Sequence, residues 1–188
     1  MKFIKRIKVN NNSNRVRMNF KYMRFGSLGS NVRFGGISTL LGTENIYLDD
    51  DVFIGAECYL NAVSDIRIAS GCMLGPRVFC VSGSHNYCSP DLRAVPYDER
   101  QIDLPVIVER NVWVAGNVSI APGTHIGEGS VIAMGAVVAG EIPPHSVVVG
   151  QKARPIKKRD IEQYNALVEQ GLIYNKIFAG KPFQMVRK

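Results

Sequence analysis

The sequence has no apolar run approaching the roughly 18 residues that a membrane span needs. Its basic start, Met1-Lys2-Phe3-Ile4-Lys5-Arg6, lacks the apolar stretch of about 7–15 residues found in a secretion signal. These absences predict a cytoplasmic protein without a membrane span. The four cysteines, Cys58, Cys72, Cys80 and Cys88, form no C-x-x-C pair, which argues against zinc. Acidic residues are missing from positions 1–43, which carry nine Lys/Arg. Positions 44–150 hold five basic and thirteen acidic residues, and positions 151–188 nine and three. Neither basic end carries a nucleic-acid recognition motif or aromatic-basic interleaving, so no nucleic-acid partner is expected. The C-terminal cluster suits a phosphorylated small ligand, or is simply a solvated end. At 188 residues, 46% hydrophobic and 21% charged, the chain suits one globular domain.

What is present is a period of six. Val108-Glu109, Val114-Ala115, Ile120-Ala121, Ile126-Gly127, Ile132-Ala133 and Val138-Ala139 repeat an aliphatic residue followed by Gly, Ala or Glu. Four places after each aliphatic stands a small or β-branched residue, such as Val112, Thr124 or Ser130. A helix of 3.6 residues per turn cannot hold this register, but short strands joined by corners can. The small residue after each aliphatic is expected where the chain turns sharply. Cys58 and Cys72 fall in the second slot and Cys80 in the aliphatic one, so all three read as small buried hydrophobes.

The hexads begin at Leu28 and break at three places. The step is eight from Leu40 to Leu48, eight from Leu60 to Ile68 and twenty-eight from Cys80 to Val108. Each excess falls after three hexads. If three hexads make a coil, every insertion lies on one corner of a three-sided prism, where insertions build one functional surface. About five coils are expected, ending at Glu141-Ile142-Pro143-Pro144, where two prolines oppose strand pairing. Val147-Val148-Val149 is one further apolar strand. Asp160 with Gln163 starts a helix with an apolar stripe of Ile161, Tyr164, Val168 and Leu172, ended or kinked by Gly171. The chain therefore divides into an extended basic segment (1–27), an all-β solenoid (28–156, insertion loop 81–107) and a C-terminal helix and tail (157–188).

The run Asn111-Val112-Trp113-Val114-Ala115-Gly116-Asn117-Val118-Ser119-Ile120-Ala121-Pro122-Gly123, then Ile126-Gly127-Glu128-Gly129-Ser130-Val131-Ile132 and Glu141-Ile142-Pro143-Pro144-His145-Ser146-Val147-Val148-Val149-Gly150, resembles the hexapeptide-repeat acyltransferases. Within them it is most similar to the bacterial sugar O-acetyltransferases of the maltose and galactoside acetyltransferase lineage. The resemblance implies a left-handed parallel β-helix, an exception to the right-handed crossover rule. It also implies a homotrimer with sites between subunits, and acetyl-CoA as acyl donor with no metal. The acceptor would be a sugar, sugar nucleotide or polysaccharide of the bacterial surface, such as O-antigen or capsule.

Acyl transfer from a thioester to a hydroxyl needs a base at the hydroxyl, and neutral imidazole suits it. Of the three histidines, His125 is expected on a solvated corner, and His145 at a position that varies among relatives. His85 alone lies in the long insertion and is the candidate base. Where many relatives carry a second histidine nearby, this chain has Tyr87 and Cys88. By resemblance, Gly116, Met134 and Ala139 hold the pantetheine arm through backbone groups, and Arg154 and Lys157 meet the nucleotide phosphates, with Lys152 adding charge. The Gly116 N–H is a candidate oxyanion donor. Asn61 and Asp65 occupy the insertion corner one coil before His85, where relatives hold sugar hydroxyls; Arg93, Asp91 and Asp98 are further acceptor candidates.

Direct transfer in a ternary complex is expected, although Cys88 near His85 leaves a covalent route open. A zinc carbonic anhydrase on the same solenoid needs three histidines from adjacent coils, and here they lie 40 and 20 residues apart. A non-enzymatic solenoid would have no use for a histidine-bearing interruption. An N-acyltransferase acting on an amino-sugar nucleotide would use the same base and donor site, and the sequence does not separate it from an O-acetyltransferase.

Overall fold

The computed structural model describes residues 8–9, 23–150 and 158–173. Strand β1 (Lys8–Val9) precedes the coils. Coil one holds β2 (Ser27–Leu28), β3 (Arg33–Phe34) and β4 (Thr39–Leu41). Coil two holds β5 (Ile46–Leu48), β6 (Phe53–Ile54) and β7 (Tyr59–Asn61), and coil three β8 (Ile66–Ile68), β9 (Met73–Leu74) and β10 (Phe79–Val81). Then come β11 (Gly83–His85) and β12 (Gln101–Asp103), which belong to the long loop. Coil four holds β13 (Val106–Val108), β14 (Trp113–Val114) and β15 (Ser119–Ile120), and coil five β16 (His125–Ile126), β17 (Val131–Ile132) and β18 (Val137–Val138). Strands β19 (Glu141–Ile142) and β20 (Val147–Val148) begin a sixth. Each coil strand pairs in parallel with its counterpart one coil away, giving three sheets along a left-handed parallel β-helix.

One inward column shows why the period holds. Phe34, Ile54, Leu74, Val114 and Ile132 are paired in register through β3, β6, β9, β14 and β17, and each is at most 1% exposed. Burying each such side chain contributes about 1.5–3 kcal/mol. The second inward slot holds Val52, Cys58, Cys72, Val78 and Val112, also at most 1% exposed. The Cys72 thiol donates to the Glu109 carbonyl at 2.9 Å. Burial pushes the Cys58 thiol up, that of Cys72 to about 11 and that of Cys80 to about 12. All three stay protonated at neutral pH and are poor nucleophiles.

Two expectations change. The small residue after each aliphatic answers the next coil rather than the turn. A Cβ on Gly55 would lie 2.5 Å from the Gly75 carbonyl carbon, and one on Gly127 would lie 2.5 Å from the Pro144 nitrogen. The turn itself is made two positions later, by left-handed residues such as Asn31, Asp51, Asn111 and Gly129.

The solenoid also does not stop near Val138. Strand β19 pairs with β16 and β20 with β17. From Val138 to Ile142 the step is four, two short of a hexad, so the repeat is phase-shifted rather than lost. Pro143 and Pro144 occupy the corner between β19 and β20, outside the ladders, and the Pro143 carbonyl accepts from Ser130 and Ser146. There are therefore five complete coils and part of a sixth. The deletion falls on the corner that takes the three insertions.

A second compact unit covers residues 152–188. Its helix α1 (Ile161–Glu169) starts as expected, with the Asp160 carboxylate accepting from the Gln163 N–H at 2.9 Å. Gly171 follows its end in the left-handed region at φ +66°. Among the described residues no helix is long and apolar enough to cross a membrane.

The phase rule makes a direct prediction. Two residues inserted after Gly140, on the tolerant corner, should move the melting temperature by no more than about 4 °C, roughly 1 kcal/mol in a domain of this size. The same insertion after Gly129, between β16 and β17, should abolish cooperative melting. Equal effects on calorimetry would show that the corners are equivalent.

Candidate active site

Residues 82–105 leave the solenoid at the insertion corner as a hairpin, with β11 antiparallel to β12 and His85 opposite Gln101. Its root is fastened to the preceding coil. Ser82 is fully buried; its hydroxyl donates to the Ser64 carbonyl at 2.6 Å and accepts from the Ser64 N–H at 3.1 Å. The Ser64 hydroxyl in turn bonds the Asp103 carboxylate. Gly83 is needed here because a Cβ would lie 2.6 Å from Val63 Cγ1.

Further out, the loop closes on Asp98, which is 3% exposed. Its carboxylate accepts from Arg100 Nη2 at 2.6 Å and Asn86 Nδ2 at 2.9 Å. The Arg100 guanidinium holds that carboxyl well below the usual aspartate range. Asn86 completes a backbone exchange, donating to the Arg100 carbonyl and accepting from the Asp98 N–H, each at 3.1 Å. Asp98 is thus an internal tie of the loop, against its expected place among acceptor-binding residues. Asp91 pairs with Arg100 at 2.8 Å. Arg93 pairs with Glu99 on the surface.

His85 is exposed, and its ring stacks on Tyr97, centroid to centroid 3.9 Å, 13° between planes. Among the described residues its ring nitrogens have no hydrogen-bond partner, which leaves them open to a substrate proton. Tyr87 and Cys88 are also exposed.

The remaining candidates occupy two corners. Asn61 ends β7, beside Val81 of β10, and Asp65 precedes β8 with its carboxylate 2.7 Å from Arg67. Asp65 also lines a cleft of about 380 Å³ with Asn45, Val63, Ser64, Gln101, Ile102 and Asp103; Asn61 and Arg93 are outside it. Ala139 follows β18 on the insertion corner. Gly116 and Met134 lie on the next corner, stacked on consecutive coils, with the Gly116 carbonyl accepting from the Gly135 N–H at 3.1 Å. The Gly116 N–H has no partner among the described residues, and Met134 is 71% exposed. One chain therefore puts His85 and the Gly116–Met134 edge on different corners. Lys152, Arg154 and Lys157 lie outside the described residues.

His125 is not on a corner. It sits in β16 with Nε2 2.8 Å from Glu109 and Nδ1 3.2 Å from Glu141. The Glu128 N–H and the His125 ring hold the Glu109 carboxyl below the usual glutamate range. His145 is an exposed corner residue at φ +59°.

The unbroken repeat matches the bacterial transferase hexapeptide (six repeats) family over residues 105–140. A maltose O-acetyltransferase structure from Clostridium difficile is 30% identical with a TM-score of 0.64, covering 80% of each chain. The chain belongs to the hexapeptide-repeat acyltransferases. A second member, a hexapeptide-repeat acetyltransferase from Vibrio cholerae solved with acetyl-coenzyme A, is 29% identical with a TM-score of 0.58, covering 71% of each chain. A Schizosaccharomyces pombe protein assigned provisionally as an acetyltransferase is 36% identical over 118 residues, 63% of this chain. That match spans about half, 55%, of the yeast protein.

The loop residues that the repeat pattern did not reveal are Tyr97, Asn86, Arg100 and Ser82. They belong to a loop with no repeat to set their phase. The one available signal was the clustering of Tyr97-Asp98-Glu99-Arg100 where the loop returns.

Because Asp98 is held below its ordinary range, its contribution is fully present above the unfolded aspartate pKa of about 3.9. It is lost as pH falls from there toward the depressed folded value. Protection of 82–105 against hydrogen exchange, corrected for the intrinsic rate, should therefore be high at neutral pH and fall below about pH 4. In Asp98→Asn the loop should exchange faster already at pH 7, and the acid-dependent increment should vanish.

Proposed function

We propose that this chain transfers an acetyl group from acetyl-CoA to a hydroxyl of a sugar or sugar nucleotide destined for a bacterial surface polysaccharide. The single observation that carries the proposal is His85: an exposed imidazole with unpartnered nitrogens, on a hairpin rooted at the insertion corner. Membership of the acyltransferase family and the acetyl-CoA bound to the Vibrio cholerae relative support the donor. The maltose O-acetyltransferase relative supports a sugar acceptor.

In this mechanism His85 removes the hydroxyl proton as the oxygen attacks the thioester carbonyl. The Gly116 N–H, open on its corner, donates to the oxyanion. As the carbon–sulfur bond breaks, the imidazolium returns the proton to the departing thiolate. Gly116 and Met134 offer backbone groups along one edge for the pantetheine arm, and Ala139 an exposed site near the loop. Lys152, Arg154 and Lys157 supply charge for the phosphates. Asp65, with Asn61 beside it and Arg93 on the loop, would bind acceptor hydroxyls.

A trimer completes the site, because one chain separates base and donor edge. Two outer faces of the prism carry apolar ladders. Met73, Trp113 and Val147 lie on one, at 50, 55 and 73% exposure, and Phe79 and Val137 on the other, at 47 and 75%. The third is polar, with Arg67 over Tyr47 and His125 between its two carboxylates. A closed ring needs two different patches on each chain, and the two apolar faces supply them.

His85→Ala should lower kcat/KM about 10²–10⁴-fold, read as thiol release from acetyl-CoA with a sugar acceptor. Near wild-type turnover would remove His85 from the role. An acceptor panel of hydroxyl and amino sugars, with mass detection, separates O- from N-acylation; acylation of amino sugars alone would replace the hydroxyl reading.

A further inference from the structure

We propose that Tyr97 is the positioning residue for His85, and that Asp98 is the pin that keeps the two rings stacked. The inference rests on the reading of His85 as the base. The imidazole leaves β11 at its last residue, on an exposed hairpin. No described residue bonds its nitrogens. An imidazole in that setting would sample several rotamers, and a base must present one nitrogen to the hydroxyl in one direction. The contact that limits its rotation is the Tyr97 ring, 3.9 Å away and 13° from parallel. A face-on stack fixes the imidazole plane while leaving both nitrogens, which lie on the ring edge, accessible. It also sets the positive charge that develops during proton uptake over the electron-rich face of a phenol.

Tyr97 lies twelve positions after His85, yet the loop leaves the spacing of the two rings little freedom. Asn86 follows His85 and Asp98 follows Tyr97. These two followers are both buried and are joined three ways. The Asn86 amide donates to the Asp98 carboxylate at 2.9 Å, the Asp98 N–H donates to the Asn86 carbonyl at 3.1 Å, and Arg100 bridges the backbone of one to the carboxylate of the other. The buried pair fixes the register, and the exposed pair in front of it does the work. Tyr97 is itself 46% exposed, so replacing it leaves the core untouched.

The test compares Tyr97→Phe with Tyr97→Leu in the full-length protein. Turnover is measured with acetyl-CoA and the best acceptor of the panel, and side-chain NMR follows the His85 ring protons, assigned with His85→Ala. Tyr97→Leu should lower kcat about five- to tenfold with both KM values within about twofold, and should abolish the upfield ring-current shift of the His85 protons. Tyr97→Phe, which keeps the aromatic face, should restore both. Asp98→Asn should broaden or split the His85 signals. The proposal is overturned if Tyr97→Leu leaves kcat and the His85 shifts unchanged, or if Tyr97→Phe falls as far as Tyr97→Leu. Should wild-type protein acylate no acceptor, the assigned function fails separately. The ring-proton shifts then still decide whether Tyr97 orders the imidazole.

Discussion

Everything here depends on the stacking of one coil on the next. Parallel strands in adjacent coils lie about 4.7–4.9 Å apart. In such a column each residue sits on its own repeat equivalent, as Phe53, Met73, Trp113, Val131 and Val147 do on one outer face. The narrow prism accepts one branched aliphatic and one small residue per hexad and excludes water from both. Where corners of successive coils meet, even a methyl group is too much: a Cβ on Gly75 would lie 2.7 Å from the Gly116 nitrogen. That constraint leaves little sequence freedom inside and forces any excess chain outward.

The excess leaves at one corner because the other two are locked. A change of length between β16 and β17, or between β14 and β15, would shift the phase of every later inward residue. At the corner leading into β5, β8, β13 and β19 the chain can lengthen or shorten and still re-enter in register. The hairpin of residues 82–105 uses this freedom. It is anchored by the buried Ser82 hydroxyl, tied internally by Asp98, and offers His85 at its surface. Rigidity comes from the coils, and under the proposed function the interruption supplies the base on an ordered support.

The period of six and the phase of its breaks were legible in the residues. They gave strand positions, the tolerant corner, the buried cysteines and the place of the long loop that holds His85. The helix start at Asp160 was legible too, because a cap is a local signal. What escaped was set by neighbours remote in sequence. The sixth coil was hidden by a two-residue deletion that resembled an ending. The carboxylates flanking His125 come from positions 109 and 141, each sixteen residues away. Tyr97 and Asp98 find His85 and Asn86 through a hairpin that no repeat predicts. The small corner residues were correctly spaced but wrongly explained, because close approach of another coil leaves the same mark on a sequence as a tight turn.

The central claim is that repeat and interruption meet across copies of the chain, with His85 from one and the Gly116–Met134 edge from another. Mixing two disabled chains tests it most directly. One carries His85→Ala; the other carries Met134→Trp, which obstructs an exposed donor corner. Oligomers purified through a different tag on each chain are assayed for thiol release. Each mixed trimer, whichever chain is in excess, has one interface in three with both partners intact, so about a third of wild-type activity should return. Activity no higher than that of the two parents would mean that each chain builds its site alone.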